Sequence, residues 1–271
     1  MKVRLDGPGA VIVRGSGDVG SAIAHRLFSS GYRVVIHDGP SPSAPRRGMA
    51  FTDAVFDGSA TLEGVEARRV DDPAGLVAAL AGRAWVPVCV ADLEAVLAAV
   101  PAAVLVDARM RKRATPQAQI GLAPLTIGVG PNFVAGQTTD LVIETSWGDQ
   151  LGTVITAGRS LDLAGEPRTY GGHARDRFVY APAGGVFRTG HNIAEVVEAG
   201  EVIATLDGAE LVAPLPGILR GLVHDGVTIA AGTKCIEVDP RGDPAFVRGI
   251  GERPGAIARG VRAAIEGWPD S

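Results

Sequence analysis

The alternation of apolar and polar positions near the start of the sequence predicts a strand, a helix and a second strand. An apolar run, Val11 to Val13, precedes a turn rich in glycine. Beyond the turn, apolar side chains fall on one side of a helix and polar ones on the other, with Val19, Ala22, Ile23 and Leu27 opposite Ser21, His25 and Ser29. The second strand closes on a carboxylate, Asp38.

Similar patterns predict further strands and helices along the chain. The runs "AWVPVCV" and "AAVLVDA" are typical of buried strands, and the Ala- and Leu-rich stretch 92–100 between them is typical of a helix. This β-α-β order indicates a parallel sheet. A further strand is predicted at "LTIGV", and residues 253–268 predict a helix because Ile257, Val261 and Ile265 recur every four residues. We expect this helix to pack back on the first unit.

An internal repeat marks the second half of the sequence. The segment "APAGGVFR", which begins at Ala181, returns as "APLPGILR" from Ala213, an offset of 32 residues (213 minus 181). Two copies of short strands and turns suggest a pseudo-twofold β-unit rather than a solenoid. The pattern resembles the biotinyl/lipoyl barrel-sandwich hybrid. A carrier of that kind needs a lysine between the halves, near "LDGAEL", and none is there, so a structural or docking module is expected.

These patterns together predict an α/β fold class, in which a Rossmann-like parallel sheet is joined to a β-rich, lysine-free barrel-sandwich hybrid domain. The expected units are a Rossmann-like nucleotide-binding domain over 1–115 and an α/β continuation with a second glycine-rich turn over 116–175. A barrel-sandwich hybrid domain over 176–240 and a C-terminal helix within 241–271 follow.

Composition narrows the class of protein. The 271 residues are 46% hydrophobic and 21% charged, with a formal net charge of −4, which argues against a general nucleic-acid binder. The sequence shows neither the apolar stretch of a signal peptide nor a run long enough to span a membrane, so a cytoplasmic protein is expected. Cys89 and Cys235 stand in apolar runs and are expected to be packed thiols. No metal-ligand spacing is evident.

The strongest candidate chemistry lies in the first glycine-rich turn. Gly15, Gly17 and Gly20 form G-x-G-x-x-G directly after a strand and before a helix, the context of a dinucleotide-binding loop. Backbone N–H groups and the helix N-terminus there favour a phosphate. Asp38, 18 residues after Gly20, is at the spacing of a ribose-binding carboxylate. The alternatives are a purely structural glycine turn and an Asp38 that only starts the next turn.

Positive charge and a second glycine turn add further candidates. Arg46 and Arg47 follow the second strand and are suited to gripping a phosphate, although a solvated loop is the plainer interpretation. The run "RMRKR" after Asp107 falls at the carboxyl edge of the sheet, where ligands bind in α/β folds. The candidate cofactor-binding residues are Arg14, Gly15, Ser16, Gly17, Asp18, Gly20, Asp38, Arg46, Arg47, Lys112, Gly128 and Gly130.

Several stretches, taken in order, resemble one family. "VRGSGDVGSAIAHRL", "RRGMAFTDAVFDG", "VLVDARMRKR", "APLTIGVGPNFVAGQTTDLVIET", "YGGHARDRFVYAPAGGVF" and "VDPRGDP" are similar to the YqeB-type accessory proteins of selenium-dependent molybdenum hydroxylase systems. The resemblance spans nearly all of residues 10–265. It departs at "PNF", where a glycine is expected before the phenylalanine. Asn132 stands there instead and tolerates the left-handed conformation that a glycine adopts.

The resemblance implies an accessory factor linked to molybdenum hydroxylases and their pterin cofactor, with no established reaction. We therefore expect a molybdopterin dinucleotide or NAD(P) as the ligand and a molybdenum hydroxylase subunit or its cofactor as the partner, with no nucleic acid and no membrane. A homo-oligomer stays open. Two alternatives remain: an NAD(P)-dependent oxidoreductase, although no proton-transfer group stands out, and a non-catalytic docking scaffold.

Overall fold

A computed structural model describes residues 9–111, 114–162 and 167–269 of the chain. The first part alternates strands and helices: β1 (Ala10–Arg14), α1 (Asp18–Ser29), β2 (Val34–His37), α2 (Ala54–Asp57), β3 (Ser59–Leu62), β4 (Val65–Arg69), α3 (Pro73–Gly82), β5 (Val86–Cys89), α4 (Leu93–Ala99) and β6 (Ala102–Asp107). It is followed by β7 (Leu125–Val129), β8 (Val134–Ala135), β9 (Leu141–Ile143), β10 (Val154–Ile155) and β11 (Gly158–Arg159).

The later part of the chain is mostly short strands. They are β12 (Phe178–Tyr180), β13 (Gly185–Arg188), β14 (Val196–Val197), β15 (Val202–Leu206), β16 (Ala209–Val212), β17 (Gly217–Leu222), β18 (Thr228–Ile229) and β19 (Lys234–Asp239). A long helix, α5 (Glu252–Gly267), follows them. None of the described helices is long and apolar enough to cross a membrane.

A large mixed sheet organises the first part of the described chain. Its nine strands lie in the order β10-β9-β7-β6-β1-β2-β5-β4-β3. The seven strands from β9 to β4 run parallel to their neighbours, and an antiparallel strand closes each edge, β10 against β9 and β3 against β4. Both faces of the sheet are covered, which suits central strands that are apolar along most of their length, as in "AVIV" at the start of β1.

Helices cover the two faces of the large sheet. On one face α1 and α5 pack together, and Ile23, Ile257 and Val261 join a core with the strands. On the other face α3 and α4 pack over Ile12 and Leu105. The apolar stripe of α1 predicted from the sequence is buried.

One helix position was predicted wrongly. Ser21 was placed on the solvent side of α1, but it is fully buried. Its hydroxyl donates to the carbonyl oxygen of Ser16 at 2.8 Å and accepts from the backbone N–H of Phe51 at 2.8 Å. Burial of this polar group is acceptable because both of its hydrogen-bonding capacities are satisfied.

The later strands form two antiparallel sheets, each of four strands within the described residues. Their orders are β12-β19-β17-β14 and β16-β15-β13-β18. The 32-residue offset of the sequence repeat carries the strand set β13, β14, β15 onto β17, β18, β19. Each copy exchanges a strand with the other, since β14 pairs with β17 and β18 pairs with β13. A shared core that includes Phe187 and Ile236 holds this sheet pair together.

The predicted fold class, a Rossmann-like parallel sheet with a barrel-sandwich hybrid domain, is wrong. The main sheet is mixed, because the β3–β4 hairpin and β10 add antiparallel edges that the β-α-β pattern did not indicate. Strands β7, β9 and β10, which fall within residues 116–175, also belong to this sheet. The C-terminal strands make two antiparallel sheets of four described strands each, packed on one core.

Candidate functional site

The glycine-rich turn between β1 and α1 is built from three glycines with different roles. Gly15 has a φ of +107°, a conformation that side chains rarely adopt. A Cβ at Gly20 would overlap the carbonyl oxygen of Gly15, so this glycine lets helix and strand approach closely. Gly17 differs from both: its φ of −69° is ordinary, and a Cβ there would meet only Ala44, at 3.5 Å. The protein's own packing therefore leaves room at Gly17.

Asp38, at the end of β2, is tied to this turn. Its Oδ2 accepts from the backbone N–H of Ser16 at 2.6 Å and from the Ser16 hydroxyl at 2.7 Å. Its Oδ1 accepts from the backbone N–H of Gly39 at 2.8 Å. The carboxylate thus fixes the shape of the glycine turn. A ribose hydroxyl would have to share these oxygens with Ser16 and Gly39.

Asp18 opens α1 and connects the turn to Arg46. The Asp18 carboxylate accepts from Arg46 at 3.0 Å. Burial alone would raise the pKa of Asp18, but Arg46, Lys234 and Arg253 hold it below its usual value. These three cations come from the loop after β2, from β19 and from the first turn of α5. The tertiary structure therefore gathers positive charge at the N-terminus of α1.

Behind Arg46 lies Glu237, a completely buried carboxylate of β19. Arg46 binds it in a bidentate manner, with N–O distances of 2.8 and 3.0 Å. Arg177 and Lys234 also donate to it, the latter at 3.1 Å, and Arg220 lies at 3.6 Å. Burial alone would raise the pKa of Glu237, but Arg46 and Lys234 hold it well below the usual value.

We call this group the cationic seam. In the described residues it contains six cations and three carboxylates, namely Arg46, Arg177, Arg220, Lys234, Arg241 and Arg253 with Asp18, Glu237 and Asp239. Burial lowers the pKa of Lys234 to about 8, although Glu237 acts in the opposite sense. Charge removed from water is costly unless it is paired. The surplus of cations makes the seam suited to an anionic ligand.

Arg253 is the cation of the seam that is free to take such a ligand. Its Nε donates to the carbonyl oxygen of Thr145 at 2.6 Å, and no carboxylate pairs with it among the described residues. Burial lowers the pKa of Arg253, and the carboxylates of Asp18 and Glu144 act against that shift. The two Nη groups of a guanidinium held in this way are suited to phosphate oxygens.

Arg47 and Arg14 serve other contacts. Arg47 donates to the Leu222 carbonyl oxygen at 2.8 Å and to both carboxylate oxygens of Asp53, which links the loop after β2 to the C-terminal sheets. Arg14, at the end of β1, lies 3.5 Å from Asp107. Burial lowers the pKa of Arg14 to about 10. Asp107 also accepts from Arg109 and from Gln119, so one buried carboxylate serves both guanidiniums of this cluster.

The second glycine turn is shaped by packing. A Cβ at Gly128 would lie 2.7 Å from the Cβ of Phe133, so the ring of Phe133 occupies that space. Gly130 has a φ of +98°, and its carbonyl oxygen accepts from Ser160. Asn132 has a φ of +75°, the left-handed conformation expected of it. Lys112 lies outside the described residues.

Three residues of the seam were hardly indicated by local sequence patterns. Lys234, Glu237 and Arg253 come from β19 and α5, and Glu237 meets Arg46 across 191 positions of sequence. The available signal was a pair of charges, Glu237 and Asp239, inside the apolar run "CIEVD". Buried charges in a strand require partners, but the sequence does not name them.

The order of the strands and the geometry of the site together define a mixed α/β protein with a cationic seam beside a glycine-rich turn. The chain is 36% identical over 255 residues to the "Uncharacterized protein YqeB" of Escherichia coli (strain K12), an alignment that covers 94% of the chain and 47% of that protein. The chain is therefore similar to a YqeB-type protein over nearly all of its length, as the sequence motifs indicated. It spans about half the length of this curated relative. No family model matches it.

Solved structures offer only distant likeness. The succinylglutamate desuccinylase/aspartoacylase of Rhodobacter sphaeroides aligns over 79% of this chain and 61% of its own, with 15% identity and a TM-score of 0.22. The ectoine utilization protein EutE (DoeB) of Ruegeria pomeroyi aligns over 85% of this chain and 84% of its own, with 12% identity and a TM-score of 0.25. Scores at this level carry no argument about function.

Proposed function

We propose that this chain binds a phosphate-bearing nucleotide at the cationic seam and the adjoining glycine turn. The observation that carries the proposal is the surplus of cations over carboxylates beside the N-terminus of α1. A diphosphate placed there would balance the surplus, and the partial positive charge of the helix end would add to the attraction.

The free space at Gly17 supports the same ligand. Neither backbone conformation nor packing requires a glycine at this position. A missing side chain lets a phosphate approach the backbone N–H groups of the turn. The residues that would hold phosphate are Gly17 with its neighbours in the turn, Lys234 and Arg253. Arg46 would support the phosphate site indirectly, because it binds Asp18 and Glu237.

In biological terms, the proposed role is that of an accessory protein in molybdenum hydroxylase maturation. The family resemblance supports this role, and the ligand it favours is a molybdopterin dinucleotide, which carries a diphosphate. The proposed partner is a molybdenum hydroxylase subunit or its cofactor. The relative's name states no activity, so the role rests on resemblance and on the chemistry of the seam.

Two experiments test the proposal: identification of the bound ligand, and replacement of a residue that would hold it. Native mass spectrometry of the purified chain, with release of any bound small molecule, should yield a pterin dinucleotide. Release of NAD or NADP would favour an oxidoreductase instead. Pyrophosphate, titrated by calorimetry, should bind at least tenfold more weakly to Arg253→Ala than to the unaltered chain.

Arg262→Ala is the matched control. Arg262 lies on the same helix, its side chain is half-exposed, and it pairs with Glu266 at 2.7 Å. The charges that act on the pKa of Arg262 are those of Glu266 and Tyr32, which lie outside the seam. Its replacement should leave pyrophosphate affinity unchanged. Equal affinity of the Arg253→Ala and Arg262→Ala variants would refute the placement of the phosphate site.

A further inference from the structure

A second cluster of ligating side chains lies apart from the seam, where α2 meets the C-terminal sheets. Asp53 and Asp57 stand at the two ends of α2, and His224 follows β17. One ligand atom from each of these residues lies within 4.8 Å of the others. The residues therefore converge from two parts of the fold that are far apart in sequence.

The hydrogen bonding of His224 determines which ring nitrogen faces the carboxylates. Its Nδ1 lies 2.9 Å from the carbonyl oxygen of Asp225. A carbonyl only accepts, so Nδ1 carries the proton, and in the neutral ring Nε2 presents its lone pair. That lone pair points at Oδ1 of Asp57, 3.4 Å away. Two acceptors facing each other repel unless a positive charge lies between them, either a bound cation or a second proton on Nε2.

Other contacts hold these side chains in place. The ring of Phe56 stacks on His224 with a centroid distance of 4.1 Å and an interplanar angle of 15°. Arg47 donates to both oxygens of Asp53. A ring nitrogen bonded to a backbone carbonyl, and a carboxylate bonded to a second group, are the outer contacts that orient metal ligands in proteins.

We propose that Asp53, Asp57 and His224 bind a divalent transition-metal ion of the zinc class. Tetrahedral zinc with bonds of about 2.0–2.2 Å separates neighbouring ligand atoms by roughly 3.3 Å, and the His224 Nε2 to Asp57 Oδ1 distance is 3.4 Å. Three protein ligands leave a fourth position for water. The ion would join α2 to the C-terminal sheet pair beside the contact that Arg47 makes.

The experiment uses the whole chain, stripped with a chelator, and zinc chloride as the probe. Calorimetric titration and elemental analysis should give one zinc per chain. Asp57→Asn and His224→Gln should each weaken zinc binding at least tenfold. Asp57 is largely exposed, at 58% of its side chain, so its variant is expected to fold even if the His224 variant does not.

His191→Gln is the matched control. His191 also lies among the C-terminal strands and contacts a carboxylate, that of Glu195, at 2.8 Å. This variant should bind zinc as the unaltered chain does. A further expected result is a rise in melting temperature with zinc that disappears in Asp57→Asn. Failure of the unaltered chain to bind zinc at micromolar concentration, or uptake unchanged in Asp57→Asn, would show that His224 and Asp57 form only an ion pair, and would overturn the proposal.

Discussion

Replacement of Gly20 by alanine should destabilise the protein strongly. The new Cβ would overlap the carbonyl oxygen of Gly15 and lie 2.9 Å from its carbonyl carbon. The obstacle is backbone, held in a turn by the positive φ of Gly15, so the cost lies at the upper end of the ~1–3 kcal/mol typical of overpacking. Alanine regains ~1 kcal/mol of helix propensity over glycine. The free energy of unfolding should therefore fall by about 2 kcal/mol.

Gly17 offers a comparison three residues away. A Cβ there has only ordinary contact, with Ala44 at 3.5 Å, and the backbone conformation suits any residue. Because Gly17 is the N-cap of α1, alanine should cost ~0.5 kcal/mol through a poorer cap. Pyrophosphate binding, in contrast, should weaken clearly, because the methyl group enters the space left for the ligand.

Urea unfolding followed by tryptophan fluorescence separates the two effects. With a slope of ~2–3 kcal/mol per molar urea, Gly20→Ala should move the midpoint down by roughly 0.7–1 M, and Gly17→Ala by less than about 0.3 M. Calorimetry then compares pyrophosphate affinity in Gly17→Ala and in the unaltered chain. A Gly17→Ala variant as unstable as Gly20→Ala, or one that binds pyrophosphate normally, would refute the assignment of the space at Gly17 to a ligand.

Two further predictions concern the buried charges of the seam. Glu237→Gln removes the carboxylate shared by Arg46 and Arg177, so the free energy of unfolding should fall by about 3–5 kcal/mol in urea titrations; a loss below 1 kcal/mol would contradict this. The pKa of Lys234 is about 8 in the folded chain and 10.5 in the unperturbed state. Between about pH 8 and 10.5 the unfolded chain therefore binds more protons than the folded chain. The free energy of unfolding should rise with pH across that range. The rise, up to about 3 kcal/mol, should be reduced in Lys234→Met; identical pH profiles from thermal melts would show that Lys234 is not perturbed.

The local elements were predictable because their signals are local. The apolar runs and helical periodicity gave β1, α1, β5, β6, β7 and α5 within a few residues. The β3–β4 hairpin was missed. Its turn, Glu63 and Gly64, has φ values of +44° and +80°, a conformation set by two residues that stand out little in a chain rich in glycine. Without that hairpin and β10, the sheet was predicted to be parallel.

The candidate site was only partly predictable, since its charges pair across the fold. The glycine turn and Arg46 could be read from neighbouring residues. The partner of Arg46, Glu237, lies 191 positions away, and no local pattern couples the two. Lys234 was not among the candidate residues. Its position beside Asp18 and Arg46 follows from how the C-terminal sheets dock, which depends on tertiary packing.

The position of α5 determines when this protein can finish folding during synthesis. Residues 252–267 cover one face of the large sheet together with α1. Strands β1 to β9 are synthesised more than a hundred residues before α5, and the C-terminal sheet pair is translated in between. The nascent chain therefore carries a sheet face that only α1 covers while the sheet pair leaves the ribosome. Exposed surface of this kind promotes aggregation. Synthesis of this protein should thus depend on chaperones that shield the sheet until α5 emerges.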